Sequence, residues 1–334
     1  MENNSKKIGM IGAGSWGSAL SFLLANNGHK VTVWSAIEAE IDMLKKTHEQ
    51  KEKLPGVKLP DSVSFTNDLA EAVKDEDLLV LAVPSPFTRQ TAHAMKDLVE
   101  DGTLIVSVAK GIEEETLYTL SEVISDEIPG ARVTVLCGPS HAEEVGKGMP
   151  TLVVAGSESL EDAKLVQDVF MSSVFRVYSS EDWKGMELGG ALKNVIALAA
   201  GMADGLGCGD NAKAALITRG ITEITRLGMA CGGKAVTFSG LTGMGDLIVT
   251  CASKHSRNRR AGVLIGEGKS YEEAMAEVKQ IVEGVYSARA ALALAKKHNV
   301  EIPIIAEVNK ILFEGKDPEE SLMTLMMRDR KEED

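Results

Sequence analysis

Cysteine, aromatic side chains and long apolar runs are all scarce in this chain. Its four cysteines, Cys137, Cys208, Cys231 and Cys251, lie far apart in 334 residues with no C-x-x-C spacing, which suggests neither a disulfide framework nor a zinc site. Six scattered histidines give no H-E-x-x-H pattern, so no metal is expected. Aromatics are only 4% of the residues. No apolar run approaches the ~20 residues that span a bilayer. The opening Met1–Lys7 lacks the apolar segment of a secretory signal. Positive charge is also short: 36 Lys and Arg against 49 Asp and Glu leave a net charge of −13. That balance argues against nucleic acid or an anionic membrane as the main partner. A reduced, metal-free cytoplasmic protein is expected, of two domains at about 150 residues each.

What is present falls into two textures. Up to about Ser180, short Val/Ile/Leu runs alternate with helical stretches. The runs Lys7–Ile11, Val31–Trp34, Val63–Thr66, Leu78–Val83, Thr103–Val108 and Arg132–Leu136 are almost continuously apolar, as strands covered by helices on both faces should be. Thr151–Ala155 and Val174–Tyr178 extend the set. With a helix over Ser18–Asn27 between the first two, the pattern is βαβ and the sheet is mainly parallel. Beyond Ser179-Ser180-Glu181, Ala/Leu/Gly/Met segments at helical spacing take over: Trp183–Leu206, Asn211–Cys231, Glu283–His298 and Ile304–Glu314. The expected fold is therefore α/β, a doubly wound sheet over residues 1–180 followed by an all-helical domain over 181–334. The charged tail Arg328–Asp334 is expected to fray.

Gly12-Ala-Gly14-Ser-Trp-Gly17 follows the first strand and opens a helix. In that setting Gly12 permits the tight turn, Gly14 lets backbone approach a pyrophosphate, and Gly17 allows close helix–strand packing. Amides at the helix start would face the anion. An acid at the end of the second strand would suit the ribose of NAD, an arginine the phosphate of NADP. Val33-Trp34-Ser35-Ala36 offers neither; Glu38 comes late, and Lys45, Lys46, Lys51 and Lys53 are further on.

The second half carries a lysine where a core helix should be apolar, in Glu187-Leu-Gly-Gly-Ala-Leu-Lys193-Asn194-Val-Ile-Ala-Leu-Ala-Ala-Gly201. A buried ammonium is costly unless paired or deprotonated. The positions sharing its face, Gly189, Gly190, Ile196, Ala197, Ala200 and Gly201, are nearly all small. Room for a ligand and close helix packing around a snorkelling lysine both explain that. Asp246 and Thr250, spaced i, i+4, could reach one site if their stretch is helical; Asp246 could equally cap a helix. Ser256-Arg257-Asn258 is a plausible anion cradle, while Arg259 and Arg260 read as a solvated face. Lys110, and Ser140 in Gly138-Pro-Ser140, stand just past strand ends, where open α/β sheets bind ligands.

These motifs, with Leu54-Pro-Gly-Val-Lys-Leu-Pro60, Ala82-Val-Pro-Ser85, Asn211–Arg219 and Val282-Glu-Gly284, run in order over most of the chain. Together they resemble the bacterial-type NAD(P)-dependent glycerol-3-phosphate dehydrogenases. The resemblance implies an N-terminal Rossmann domain, a helical substrate domain, and hydride transfer between NAD or NADP and C2 of dihydroxyacetone phosphate or sn-glycerol 3-phosphate. By position, Lys193 would be the general acid/base, its pKa lowered by burial and by Lys110 and opposed by Asp246. Lys110, Gly138, Ser140, Asp246, Ser256, Arg257 and Asn258 would surround the substrate. Gly12, Gly14, Gly17, Ser15, Trp16, Lys110, Ala142, Arg257, Ile281 and Glu283 would contact the cofactor. Many members carry an arginine just after the second strand's Trp, where this chain has Ser35-Ala36. The implied partners are small molecules, with no nucleic acid, no stable membrane insertion and a homodimer as one option.

Overall fold

The computed structural model describes residues 5–330 and 332. Residues 1–4, part of the stretch expected to lack a secretory signal, and 331, 333 and 334 of the charged tail lie outside the described residues. The chain forms two compact units, Met1–Glu113 with Tyr118–Glu187, and Glu114–Leu117 with Leu188–Asp334. The division falls inside the helix Trp183–Gly205, a few residues after the change of texture at Ser179–Glu181.

The first unit is built on an eight-stranded sheet: β1 (Lys7–Ile11), β2 (Lys30–Trp34), β3 (Val63–Thr66), β4 (Leu78–Leu81), β5 (Leu104–Ser107), β6 (Arg132–Cys137), β7 (Thr151–Gly156) and β8 (Phe175–Ser180). Its order is β3-β2-β1-β4-β5-β6-β7-β8. Every residue of β4 and β5 is buried, which is why those runs read as unbroken apolar stretches. The strand period of two sends Ile8, Met10 and Val80 into one core layer and Ile11, Leu79 and Leu81 into the other. The sheet departs from parallel once. β7 runs antiparallel to β6, with Val135 opposite Gly156, and β8 is parallel to β7. The connection from β6 to β7 carries one four-residue helix, Ala142–Val145, instead of the long crossover that returns a chain to a parallel start.

The second unit is helical throughout its described regular structure. Around Trp183–Gly205 it adds Gly209–Ala230, Arg257–Gly266, Glu283–His298 and Pro303–Glu314, with shorter helices Ala235–Phe238, Asp246–Ala252, Tyr271–Val278 and Pro318–Met326. Ala191, Leu192, Val195, Ile196, Ala197 and Leu198 are all fully buried, so this stretch of the central helix is covered on every side. Its glycines face those of Arg257–Gly266. A Cβ on Gly201 would lie 2.1 Å from the Arg259 carbonyl oxygen, and one on Gly262 would lie 2.1 Å from that of Leu198. Two backbones therefore touch where side chains would hold them apart.

One stretch among the described residues, Ala235–Ala252, is long and apolar enough to cross a membrane by those two criteria, contrary to the expectation that no apolar run comes near that length. It is broken into Ala235–Phe238, a π-helical turn Leu241–Gly245 and Asp246–Ala252, and Asp246 within it is buried and ion-paired.

Replacing Gly201 with alanine should destabilise the protein by about 1–3 kcal/mol, because the added methyl has no room beside the Arg259 carbonyl. Urea or thermal unfolding of Gly201→Ala checks this; an unchanged midpoint would mean the two helices can part without loss.

Candidate active site

The glycine turn is shaped by contact at two positions and left open at the third. Gly12 adopts φ +127°, and a Cβ there would lie 2.8 Å from the Ala82 carbonyl carbon. One on Gly17 would meet the Gly12 carbonyl oxygen at 2.0 Å, whereas around Gly14 there is nothing within 4 Å. Gly12 and Gly17 close the turn on itself and on the end of β4; Gly14 faces open space. The helix Ser15–Asn26 that follows has no side-chain cap and no acid in its first turn. Its leading amides, those of Ser15 and Trp16 among them, are thus suited to an anion. A dinucleotide pyrophosphate fits this turn: the chain leaves bare backbone donors and space where the phosphate oxygens would lie.

At the ends of β5 and β6, Lys110 and Ser140 lie side by side. Lys110 is half-buried and its Nζ donates to the Gly138 carbonyl at 2.9 Å and to Ser140 Oγ at 3.5 Å. Ser140 Oγ donates to the same carbonyl at 3.0 Å. Gly138 has φ +150° and packs on the Val153 backbone, where a Cβ would come within 3.0 Å. Lys110 is therefore held in place and is no loose surface lysine. Ala142, expected near the cofactor, is buried at the start of the short helix after this turn.

In the second unit Lys193 is only 5% exposed and Asp246 only 1%. Lys193 Nζ donates to Asp246 Oδ1 at 2.9 Å and to Thr250 Oγ1 at 2.6 Å. Thr250 Oγ1 donates in turn to the Asp246 carbonyl at 2.6 Å. The helix Asp246–Ala252 puts both partners on one face, one turn apart. Its N-cap is Gly245, so Asp246 does not cap that helix with its side chain. Lys193 does not snorkel, and at Gly189 and Gly201 backbone fills the space a ligand would need. A Cβ on Gly189 would sit 2.8 Å from the Thr242 carbonyl oxygen; that glycine admits the π-helical turn, and Gly201 admits the Arg259 backbone. Close packing is the reason for those two glycines, and an ion pair is the reason the lysine can be there.

Asn258 ties the basic segment to the lysine helix. Its Nδ2 donates to Asn194 Oδ1 at 2.9 Å and its Oδ1 accepts from the Gly284 amide at 2.8 Å, which brings Glu283 into the same neighbourhood. Ser256 is buried and caps the helix Arg257–Gly266, its Oγ accepting from the Arg259 amide at 3.1 Å. Arg259 is not on a solvated face: its Nε and Nη2 bond Asp204 Oδ2 at 2.7 and 2.6 Å. The side chain of Arg257, half-buried, has no hydrogen bond or ion pair among the described residues. A cation in the first turn opposes the helix dipole, and no acid stands there to offset it. The position suits an arriving anion. Ile281 is half-buried in the segment before the helix Glu283–His298.

Comparison with known proteins decides the lineage. The family model "NAD-dependent glycerol-3-phosphate dehydrogenase N-terminus" matches residues 7–163, and its C-terminal counterpart matches 182–323. The chain belongs to the NAD-dependent glycerol-3-phosphate dehydrogenase family. It is 64% identical over 325 residues to a glycerol-3-phosphate dehydrogenase, NAD(P)+, of Agathobacter rectalis, covering 97% of both chains. A Fusobacterium nucleatum protein of the same name is 56% identical, covering 97% of this chain and 98% of its own. The crystal structure of glycerol-3-phosphate dehydrogenase from Coxiella burnetii superposes with a TM-score of 0.94 at 37% identity, covering 97% of this chain and 99% of that one. Among the described residues of this family member, no group of three His, Cys, Asp or Glu is placed to hold a metal.

Two further residues acquire a setting that their sequence positions did not reveal. Asn194 is the acceptor that fixes Asn258; its only signal was adjacency to Lys193. Glu187, at the head of the same motif, is buried and accepts from the Ser121 amide at 3.0 Å and from the Ser121 hydroxyl. Burial pushes its carboxyl up to about 7 despite those hydrogen bonds and one from Thr119. Between its ordinary value of 4.5 and about 7, the folded protein keeps a proton that the unfolded chain gives up. Glu187 thus favours folding below the unfolded value, and that contribution fades as pH rises through about 7. Glu187→Gln should flatten this dependence. From pH 5 to pH 8 the wild type should lose about 2 kcal/mol more stability than the variant, by denaturant unfolding. Parallel profiles would show that this carboxyl does not titrate there.

Proposed function

We propose that this protein catalyses the reversible, NAD(P)-linked interconversion of dihydroxyacetone phosphate and sn-glycerol 3-phosphate, with Lys193 as the acid/base. The observation that carries the assignment is a buried amine, held at 2.9 Å by Asp246 and 2.6 Å by Thr250, within the fully buried apolar stretch of its helix. The first unit is read as the dinucleotide-binding domain, with Gly12, Gly14, Ser15, Trp16 and Gly17 taking the pyrophosphate. The second is read as the substrate-binding and catalytic domain. The nicotinamide, when bound, gives or takes the hydride at C2.

The chain's own residues do the rest. In reduction Lys193 Nζ donates a proton to the C2 oxygen as the alkoxide forms; in oxidation it accepts that proton from the hydroxyl. Asp246 orients the amine and compensates its charge, so the lysine can be buried without unfolding the helix. Arg257, with the first-turn amides of its helix, anchors the phosphate and converts remote binding energy into position at C2. Asn258, with both ends of its side chain engaged, holds Arg257 near the lysine helix. Lys110, Gly138 and Ser140 complete the substrate contacts, and Lys110, Ala142, Arg257, Ile281 and Glu283 those to the cofactor. The same reading places the enzyme in the cytoplasm, supplying glycerol 3-phosphate for glycerophospholipid synthesis, and a homodimer is compatible with it.

Absorbance loss of NADH or NADPH on adding dihydroxyacetone phosphate tests the activity directly; no turnover with either nucleotide refutes it. A 2-hydroxy- or 3-hydroxyacid accepted in preference to the phosphate ester would reassign the substrate. Lys193→Ala should lower kcat by about 10²–10⁴-fold while nucleotide binding survives. It should also lose stability, since Asp246 is left buried and unpaired. A mild kinetic defect removes Lys193 as the acid/base. Arg257→Ala should raise KM for dihydroxyacetone phosphate about 10- to 100-fold with a smaller change in kcat, and an unchanged KM would dismiss it as the anchor.

A further inference from the structure

The end of β2 carries a closed polar cluster that neither the chemistry at C2 nor the phosphate anchor uses. Ser35, the first residue past β2, is buried, and its Oγ donates to Glu40 Oε2 at 2.8 Å while accepting from the Ile37 amide at 3.1 Å. Glu40, also buried, is ion-paired through its other oxygen with Lys53 Nζ. The cluster stands against the glycine turn. The Gly12 amide donates to the Trp34 carbonyl at 2.9 Å, and Gln50 Nε2 donates to the Ala13 carbonyl at 2.9 Å. In a nucleotide-binding βαβ unit, the strand end beside that turn is where the adenosine ribose lies.

We infer that Ser35, set by Glu40 and Lys53, makes this protein select NAD(H) over NADP(H). The inference rests on the dinucleotide reading above and deepens it. A serine hydroxyl has one proton and two lone pairs. Here the proton is given to Glu40 and one lone pair takes the Ile37 amide, so Oγ has only an acceptor left to offer. An acceptor receives the 2′-hydroxyl of NAD, which donates. It has no hydrogen for a 2′-phosphate, whose oxygens only accept and carry about −1.5 to −2 charge. Glu40 adds like-charge repulsion to any 2′-phosphate. Lys53, the nearby cation that could offset it, is committed to Glu40. Lys45 and Lys46 are in the last turn of the helix Glu38–Thr47, about 10 Å along its axis from the first, and both are exposed. Ser35 is thus a specificity residue, and Glu40 a positioning residue that acts through it and through Lys53.

Equilibrium binding, read by nicotinamide fluorescence for NADH and NADPH and by competition for AMP and 2′,5′-ADP, tests this without turnover. The wild type should bind NADH at least about tenfold tighter than NADPH, with AMP ahead of 2′,5′-ADP in the same sense. Glu40→Gln removes the charge and releases Lys53, and should tighten NADPH about tenfold while NADH changes less than about threefold. Ser35→Ala, which disturbs packing least, should weaken NADH about three- to tenfold and leave NADPH unchanged. Thermal melts confirm that each variant is folded. Wild-type protein that binds NADPH as tightly as NADH overturns the inference, as does a preference that Ser35→Ala leaves intact. Failure of both nucleotides to bind would overturn the dinucleotide reading itself, which the wild-type measurement alone distinguishes.

Discussion

The second unit is organised around one constraint: an ammonium inside an apolar helix must find a negative partner before that helix can be buried. Neither charge could be left in that interior alone. The partner is Asp246, and much local structure follows from bringing it there. Gly189, one turn before Lys193 on the same helix face, lets the Thr242 carbonyl approach to where a Cβ would be 2.8 Å away. That approach seats the π-helical turn Leu241–Gly245, which delivers Asp246 at the first position of a new helix. A carboxylate there is favoured by the helix dipole as well as by the lysine. Thr250, a turn later, accepts from Nζ and donates to the Asp246 backbone, so the chain of donors polarises in one direction.

Charge elsewhere obeys a different economy. The protein carries thirteen more acids than bases, yet its substrate and cofactor are anions. Attraction must therefore be local. At the turn after β1 it comes from backbone amides and a helix start with no acid in its first turn. At Ser256 it comes from a helix start that also carries Arg257, with Arg259 neutralised by Asp204. The cost of an unpaired arginine against a helix dipole is small, about 0.3–1 kcal/mol, and an arriving phosphate reverses its sign.

Much of this was legible in the sequence because it depends on periodicity. The buried strands, the glycine turn and the long helices declared themselves through apolar runs of the right length. Lys193 stood out because it broke such a run. What stayed hidden depends on geometry that periodicity does not encode. The antiparallel turn of β7 follows from its connection, and helices of four to ten residues around Ala235–Gly266 are too short to show a repeat. The small residues beside Lys193 left two explanations open, because a glycine that admits a ligand and one that admits a carbonyl are identical in a sequence. Arg259 looked solvated because Asp204 is distant along the chain, and the hydrogen bonds of Asn258 were hidden because Asn194 and Gly284 are distant too.

The end of β2 shows the same limit most sharply. A search for an acid or an arginine at a fixed distance past the strand finds Ser35-Ala36 and stops. Glu40 lies five residues beyond Ser35 in the chain, but the intervening turn at Ile37 and the first turn of the next helix fold it back into hydrogen-bonding range. Lys53 then reaches the same carboxylate from a separate segment. The acid is present at the strand end in space while absent there in sequence. Because the serine proton points toward that acid, a residue of no intrinsic charge preference acquires one: its oxygen can only receive. Recognition at this corner is therefore set by the direction of a single hydroxyl hydrogen, and that direction is fixed by side chains outside the stretch a motif would cover.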